Sequence, residues 1–130
     1  MATDAERAQS GLAVRKKVLG AAGVEKTLAG VDDFTREWQE VVNRTCWGEA
    51  WTRTGIDLKT RSLITVAILA TLGKMQEIQG HTRGAFNNGA TPEDIQEVLY
   101  HVAVYVGIPA AFDAFRTLQP VVAEHRDAKK

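Results

Sequence analysis

The sequence predicts an all-α fold: a single-domain helical bundle over residues 1–130, with frayed ends at about 1–8 and 125–130. Three observations carry this. Apolar residues recur at helical spacing in every well-patterned stretch, no stretch alternates apolar and polar residues as a half-buried strand would, and short cap-and-glycine signals separate the segments. A chain of 130 residues with 45% hydrophobic residues can fill one core and leaves little for a second domain.

The first helix is expected from about Glu6 to Leu19, with Leu12, Val18 and Leu19 as apolar contacts and the run Arg15-Lys16-Lys17 as a solvated face. Gly20 and Gly23 interrupt the pattern, and Val24 to Ala29 reads as a short helical turn. Asp32 or Asp33 can cap the next helix, which carries Phe34, Trp38, Val41, Val42 and Thr45 on one side. If that helix continues past Gly48, Glu49 lies along the same side as a partly desolvated carboxylate; if Gly48 ends it, Glu49 is a surface residue. Trp47 and Trp51 read as packing or subunit-contact residues, because no basic stripe accompanies them as a nucleic-acid surface would require.

Asp57 can cap a helix from about Leu58 to Leu72, whose stretch Leu63–Leu72 carries no charge. That stretch is too short to span a bilayer, so the helix is expected to be buried on most sides, and in a small domain so much apolar surface calls for another subunit. Arg61 stands at its entry, either solvated or with its stem packed and its guanidinium in a pocket. After Gly73 a helix carries Met75, Ile78, Thr82, Ala85 and Phe86 on its apolar face and stops at Asn87-Asn88-Gly89. His81 falls on the shoulder of that face, one turn after Glu77. Taken alone it reads more readily as a core histidine than as a catalyst.

Thr91-Pro92-Glu93-Asp94 is the best-marked helix start in the chain: a threonine cap, a proline at the first position and acids in the first turn. Ile95, Val98, Leu99, Val102, Ala103 and Val106 form its inward stripe. His101 and Tyr105, four apart on the edge of that stripe, either line a cavity reached by His81 or make a polar edge or subunit contact. Gly107-Ile108-Pro109 breaks the chain, and a last helix is expected from about Ala110 to Glu124.

The totals limit function. Sixteen basic and sixteen acidic residues cancel, so no overall field recruits nucleic acid or an anionic membrane, and an anionic ligand must be held by local arginines. The single cysteine, Cys46, excludes an intramolecular disulfide and suits a reducing cytoplasm. The polar, acidic start does not look like a signal peptide, so a cytoplasmic protein is expected. His81, His101 and His125 show no local metal-ligand spacing, and no glycine-rich phosphate loop is present, so neither metal nor cofactor is expected.

Five segments, in order, resemble the γ-carboxymuconolactone decarboxylase family, within the alkylhydroperoxidase D-like superfamily. They are Trp47-Gly-Glu-Ala-Trp51, Thr60-Arg-Ser-Leu-Ile-Thr65, the Glu77/His81/Arg83 helix, Asn88-Gly-Ala-Thr-Pro-Glu93 and Val102-Ala-Val-Tyr-Val-Gly-Ile-Pro-Ala-Ala111. The resemblance covers roughly Arg15 to Val122. It implies an all-helical homo-oligomer, a hexamer or trimer, with sites near subunit contacts. It also implies cofactor-free decarboxylation of 4-carboxymuconolactone to the 3-oxoadipate enol-lactone, in protocatechuate breakdown by the β-ketoadipate pathway. The superfamily's thiol peroxidases carry Cys-x-x-Cys-x-x-x-His; aligned on His81, those cysteines fall on Lys74 and Glu77, so a peroxidase is disfavoured.

Such a reaction needs a dianion held, negative charge stabilised on the lactone oxygen and one proton delivered to carbon. With the resemblance, His81 becomes the expected general acid, oriented by Glu49 or Glu77. Arg61 and Arg83 are expected on the acetate arm and the carbonyl. Tyr105, with His101, is expected to donate to the lactone oxygen. A related enzyme acting on another lactone or enolisable acid, or a helical oligomer without catalysis, are the alternatives.

Overall fold

The computed structural model describes residues 1–130. Every element is helical, and the chain divides into two compact units, Met1–Asp57 and Leu58–Lys130.

The first unit contains α1 (Asp4–Leu19), α2 (Ala21–Ala29) and α3 (Arg36–Val41), which runs directly into a π-helical segment, Val42–Ala50. Residues from Asp4 to Leu19 are helical. Thr3 Oγ1 accepts from the Glu6 amide and Glu6 Oε2 from the Thr3 amide, so a reciprocal capping box starts α1 two residues earlier than expected. The Asp32 carboxylate accepts from the amides of Phe34 and Thr35 and caps the turn that leads into α3.

Along α1 the π-helical segment approaches backbone to backbone. A Cβ on Gly11 would stand 1.9 Å from the Asn43 carbonyl oxygen, and one on Gly48 would stand 2.4 Å from the Arg7 carbonyl oxygen. Only glycine fits at either position. Because each amide of a π-helix bonds five residues back, as Trp51 does to Cys46 at 3.1 Å, its turns are wider than those of an α-helix. The buried face is therefore Asn43, Trp47 and Trp51, spaced by four, with the two indoles stacked 4.7 Å apart. This corrects the expected face: Phe34 and Trp38 are exposed. Arg15, expected on a solvated face, is buried, and Cys46, expected as a packing residue, is exposed.

The second unit is a bundle of α4 (Leu58–Leu72), α5 (Met75–Asn87), α6 (Pro92–Tyr105) and α7 (Ile108–Ala128). Its core joins Val66 and Ala70 of α4, Ile78 and Ala85 of α5, Ile95, Leu99 and Val102 of α6, and Ala114, Leu118 and Val121 of α7. The expected apolar face of α5 holds, with Ile78, Thr82 and Ala85 fully enclosed. The expected start of α6 holds too, as a capping box between Thr91 and Asp94. The Thr91 amide holds the Asp94 carboxyl below the usual carboxylate range, and Lys59, 3.2 Å away, adds to the effect.

At the other end of α5, Asn88 Nδ2 donates to Ser62 Oγ at 2.9 Å, and Ser62 is wholly buried on α4. The last helix is longer than expected. Its end carries His125 stacked on Phe86 at 3.9 Å and Arg126 3.5 Å from Glu93. Helix α4 is less enclosed than expected: Ile64, Ile68 and Leu72, spaced by four, are 47%, 51% and 62% exposed. No helix is long and apolar enough to cross a membrane.

Candidate active site

Two sides of α4 carry the polar groups of the second unit. On the side toward α6 lies a groove of about 600 Å³, lined by Thr60, Leu63 and Ala67 of α4 and by Glu97, His101 and Tyr105 of α6. The His101 and Tyr105 rings tilt against each other with centroids 4.7 Å apart, so the pair expected from their spacing is formed. Both are exposed, so they offer donors at the mouth of the groove and not inside a closed cavity. Glu97 was not singled out from the sequence. Its position four residues before His101 on the same face was the available signal.

On the other side of α4, Arg61 and His81 flank the seam with α5. Arg61 immediately precedes Ser62, the residue that Asn88 holds, and is half-buried with Nε shielded from solvent. His81 lies two helical turns before Asn88 on the same shoulder of α5 and is also half-buried, with Nδ1 shielded. A half-buried imidazole on α5 and a half-buried guanidinium on α4 are groups of the kind an anionic substrate calls for: one can supply a proton and the other charge.

The remaining expected residues stand elsewhere. Arg83 projects from the opposite shoulder of α5, where its Nε donates to Glu124 Oε2 of α7 at 3.0 Å. Its guanidinium makes a solvent-exposed ion pair between helices, away from the shoulder that carries His81. Glu77 is exposed in the first turn of α5. Glu49, in the first unit, is exposed rather than desolvated, and its Oε1 is 3.8 Å from Arg7 Nε. Neither His81, Arg61 nor Arg83 lines the groove that holds His101 and Tyr105. Within the second unit α4 stands between the two groups, so the single cavity expected for His81, His101 and Tyr105 is not formed there. No three His, Cys, Asp or Glu side chains converge as a metal-ligand set.

Comparison with known proteins bears on these groups. The sequence model of the Carboxymuconolactone decarboxylase family matches residues 36–120. The 4-carboxymuconolactone decarboxylase of Acinetobacter baylyi is 39% identical over 118 residues, 91% of this chain and 88% of that one. The nitrosuccinic acid decarboxylase of Metarhizium robertsii is 40% identical over 117 residues, 90% of this chain and 82% of that one. An uncharacterized 15.0 kDa protein of Paracoccus denitrificans is 34% identical over 80 residues, 60% of each chain.

Proposed function

The chain belongs to the carboxymuconolactone decarboxylase family, and from that premise we propose that it is a carboxy-lyase converting 4-carboxymuconolactone to the 3-oxoadipate enol-lactone. The observation that carries this is near full-length likeness to a relative of that activity, together with a half-buried histidine and arginine flanking one helix seam.

The substrate bears a carboxylate on the ring carbon beside the ring oxygen, and an acetate arm on the same carbon. When the bond to that carboxylate breaks, carbon dioxide leaves and the electron pair passes through the ring double bond to the lactone carbonyl. A proton added at the carbon beside that carbonyl completes the product. The lactone is its own electron sink. In this scheme His81 delivers the proton. Arg61 holds the acetate arm, not the departing carboxylate, since stabilising that group in the ground state would oppose its loss. Tyr105 and His101 donate to the lactone oxygen, where negative charge develops. Arg83, paired with Glu124, and the exposed Glu49 and Glu77 have no assigned step.

Because α4 separates His81 and Arg61 from His101 and Tyr105, the complete site is assembled between copies of the chain. The exposed Ile64, Ile68 and Leu72 of α4, and Val104 and Ile108 beyond the groove, supply an apolar face for that assembly. A trimer or hexamer in the cytoplasm, in protocatechuate breakdown, is the corresponding setting.

The likeness to a nitrosuccinic acid decarboxylase favours a second reading of the same site. Both acids are succinates substituted at the carbon that loses carbon dioxide, and both place an electron-accepting group on that carbon. A nitro group can take the electron pair as a nitronate. The test is a spectrophotometric assay with enzymically generated lactone, run beside nitrosuccinate. Turnover of the lactone well above background is expected; turnover at background would reject the first reading, and turnover of nitrosuccinate alone would establish the second.

A further inference from the structure

A second groove of the Leu58–Lys130 unit lies away from the candidate site. At about 840 Å³ it is larger than the groove that holds His101 and Tyr105, and none of Arg61, His81, His101 and Tyr105 lines it. Gly107, at φ 136°, turns the chain between α6 and α7, and the two helices run antiparallel. Glu93 at the start of α6 meets Arg126 near the end of α7, and the Tyr100 and Phe115 rings meet with centroids 5.6 Å apart. The groove runs between them. Ile95, Leu99 and Leu118, each at most 2% exposed, close its bottom, and Phe112 and Phe115 wall one end. Its volume is that of a small-molecule site.

Three cations line it, and two already have a carboxylate: Arg126 is 3.5 Å from Glu93 and Lys130 is 3.4 Å from Asp127. Arg116 has none. Its guanidinium lies over the Phe112 ring, with Cζ 4.7 Å from the centroid, a contact that orients its plane and uses no N–H group. Gln119, one turn further along α7, adds a neutral amide beside it. One end of the groove thus sets an unpaired guanidinium fork beside two aromatic rings. An exposed ion pair alone contributes little. A ligand whose apolar body also covers Phe112 and Phe115 removes apolar surface from water and shields the charge pair, which strengthens it.

We propose that this end of the α6–α7 groove binds an organic monocarboxylate with a flat apolar body, its carboxylate on Arg116 and its body against Phe112 and Phe115. The second charged arm of a dicarboxylic acid would fall on the apolar bottom, so the ligand is not the substrate of the reaction proposed above. The site stands whether or not that reaction is the right one.

The experiment is isothermal titration calorimetry on the full chain with 2-naphthoate, the neutral 2-naphthamide and acetate as probes. Saturable binding of 2-naphthoate is expected. The amide, which keeps the body, and acetate, which keeps the charge, should each bind at least about tenfold more weakly, the worth of one charge-assisted hydrogen bond. Arg116 and Phe112 are both exposed, so substitutions there leave the core intact. Arg116→Gln should weaken 2-naphthoate about tenfold and leave 2-naphthamide unchanged, whereas Phe112→Ala should weaken both several-fold. Arg61→Gln, at the candidate site, should alter neither.

Absence of saturable binding, the result a second copy seated in the groove would give, overturns the proposal. So does equal affinity for 2-naphthoate and 2-naphthamide, or full affinity in Arg116→Gln. Loss of binding in Arg61→Gln with Arg116→Gln unaffected would place the anion at the candidate site and overturn it as well.

Discussion

Replacing Asn88 by alanine tests whether the seam beside Arg61 and His81 is held by one hydrogen bond. Asn88 Nδ2 reaches Ser62 Oγ at 2.9 Å and the Leu58 carbonyl at 3.4 Å; the second distance is at the edge of bonding and contributes little. Ser62 has no solvent exposure, so Asn88→Ala strands a buried hydroxyl at a cost of about 1–3 kcal/mol. Ser62→Ala instead leaves the half-buried Asn88 amide able to find water, at a cost of about 1 kcal/mol. The double variant removes both partners. It should be no less stable than Asn88→Ala alone, which gives a coupling of about 1 kcal/mol between the two sites. Urea unfolding at unchanged slope reads this directly: with a slope of about 1–3 kcal/mol per molar, Asn88→Ala shifts the midpoint by roughly 1 M. Strict additivity of the two single variants would refute the reasoning. So would a double variant less stable than either by their sum.

Three further outcomes are expected. His81→Ala should retain its fold by circular dichroism and lose about 10²–10⁴-fold in lactone turnover, and near-normal turnover would remove His81 as proton donor. Asp94→Asn keeps an acceptor for the Thr91 amide but loses the charge. Since the folded carboxyl titrates below its ordinary value of about 3.9, its stabilisation is complete above that pH and is lost as pH falls through the depressed value. The variant should thus be less stable by under about 1 kcal/mol at neutrality and should converge on the wild type in acid; a gap independent of pH would contradict this. Ile68→Asp, on the exposed stripe of α4, should shift sedimentation toward the single chain and abolish turnover together, whereas an active single chain would refute a site assembled between copies.

Local chemistry made much of the fold legible. The caps at Asp32 and Thr91, the stop after Asn87 and the bounds of α4 all depend on side chains within a few residues of the backbone they satisfy, so the sequence displays them. Arg15 and the π-helical segment were not legible, because both depend on the close approach of α1. A helical wheel drawn at ordinary pitch puts Phe34 and Trp38 inward and cannot anticipate wider turns. The candidate site divides in the same way. His101 and Tyr105 meet because they are one turn apart on one helix. Whether His81 joins them depends on which side of α4 each faces, and Arg83 is taken by Glu124, forty-one residues away. Both are tertiary facts with no local signature.

The glycine crossing of the first unit also governs how the protein would score in a saturating mutational scan. At Gly11 and Gly48 even a methyl group meets a backbone carbonyl, and backbone, unlike a neighbouring side chain, has no alternative rotamer to retreat into. A scan read only through turnover would rank these two positions with the residues that do chemistry, although neither has a side chain to contribute. Scoring soluble abundance in parallel would separate them, because variants of a true proton donor accumulate as dead protein and variants of the crossing do not accumulate at all.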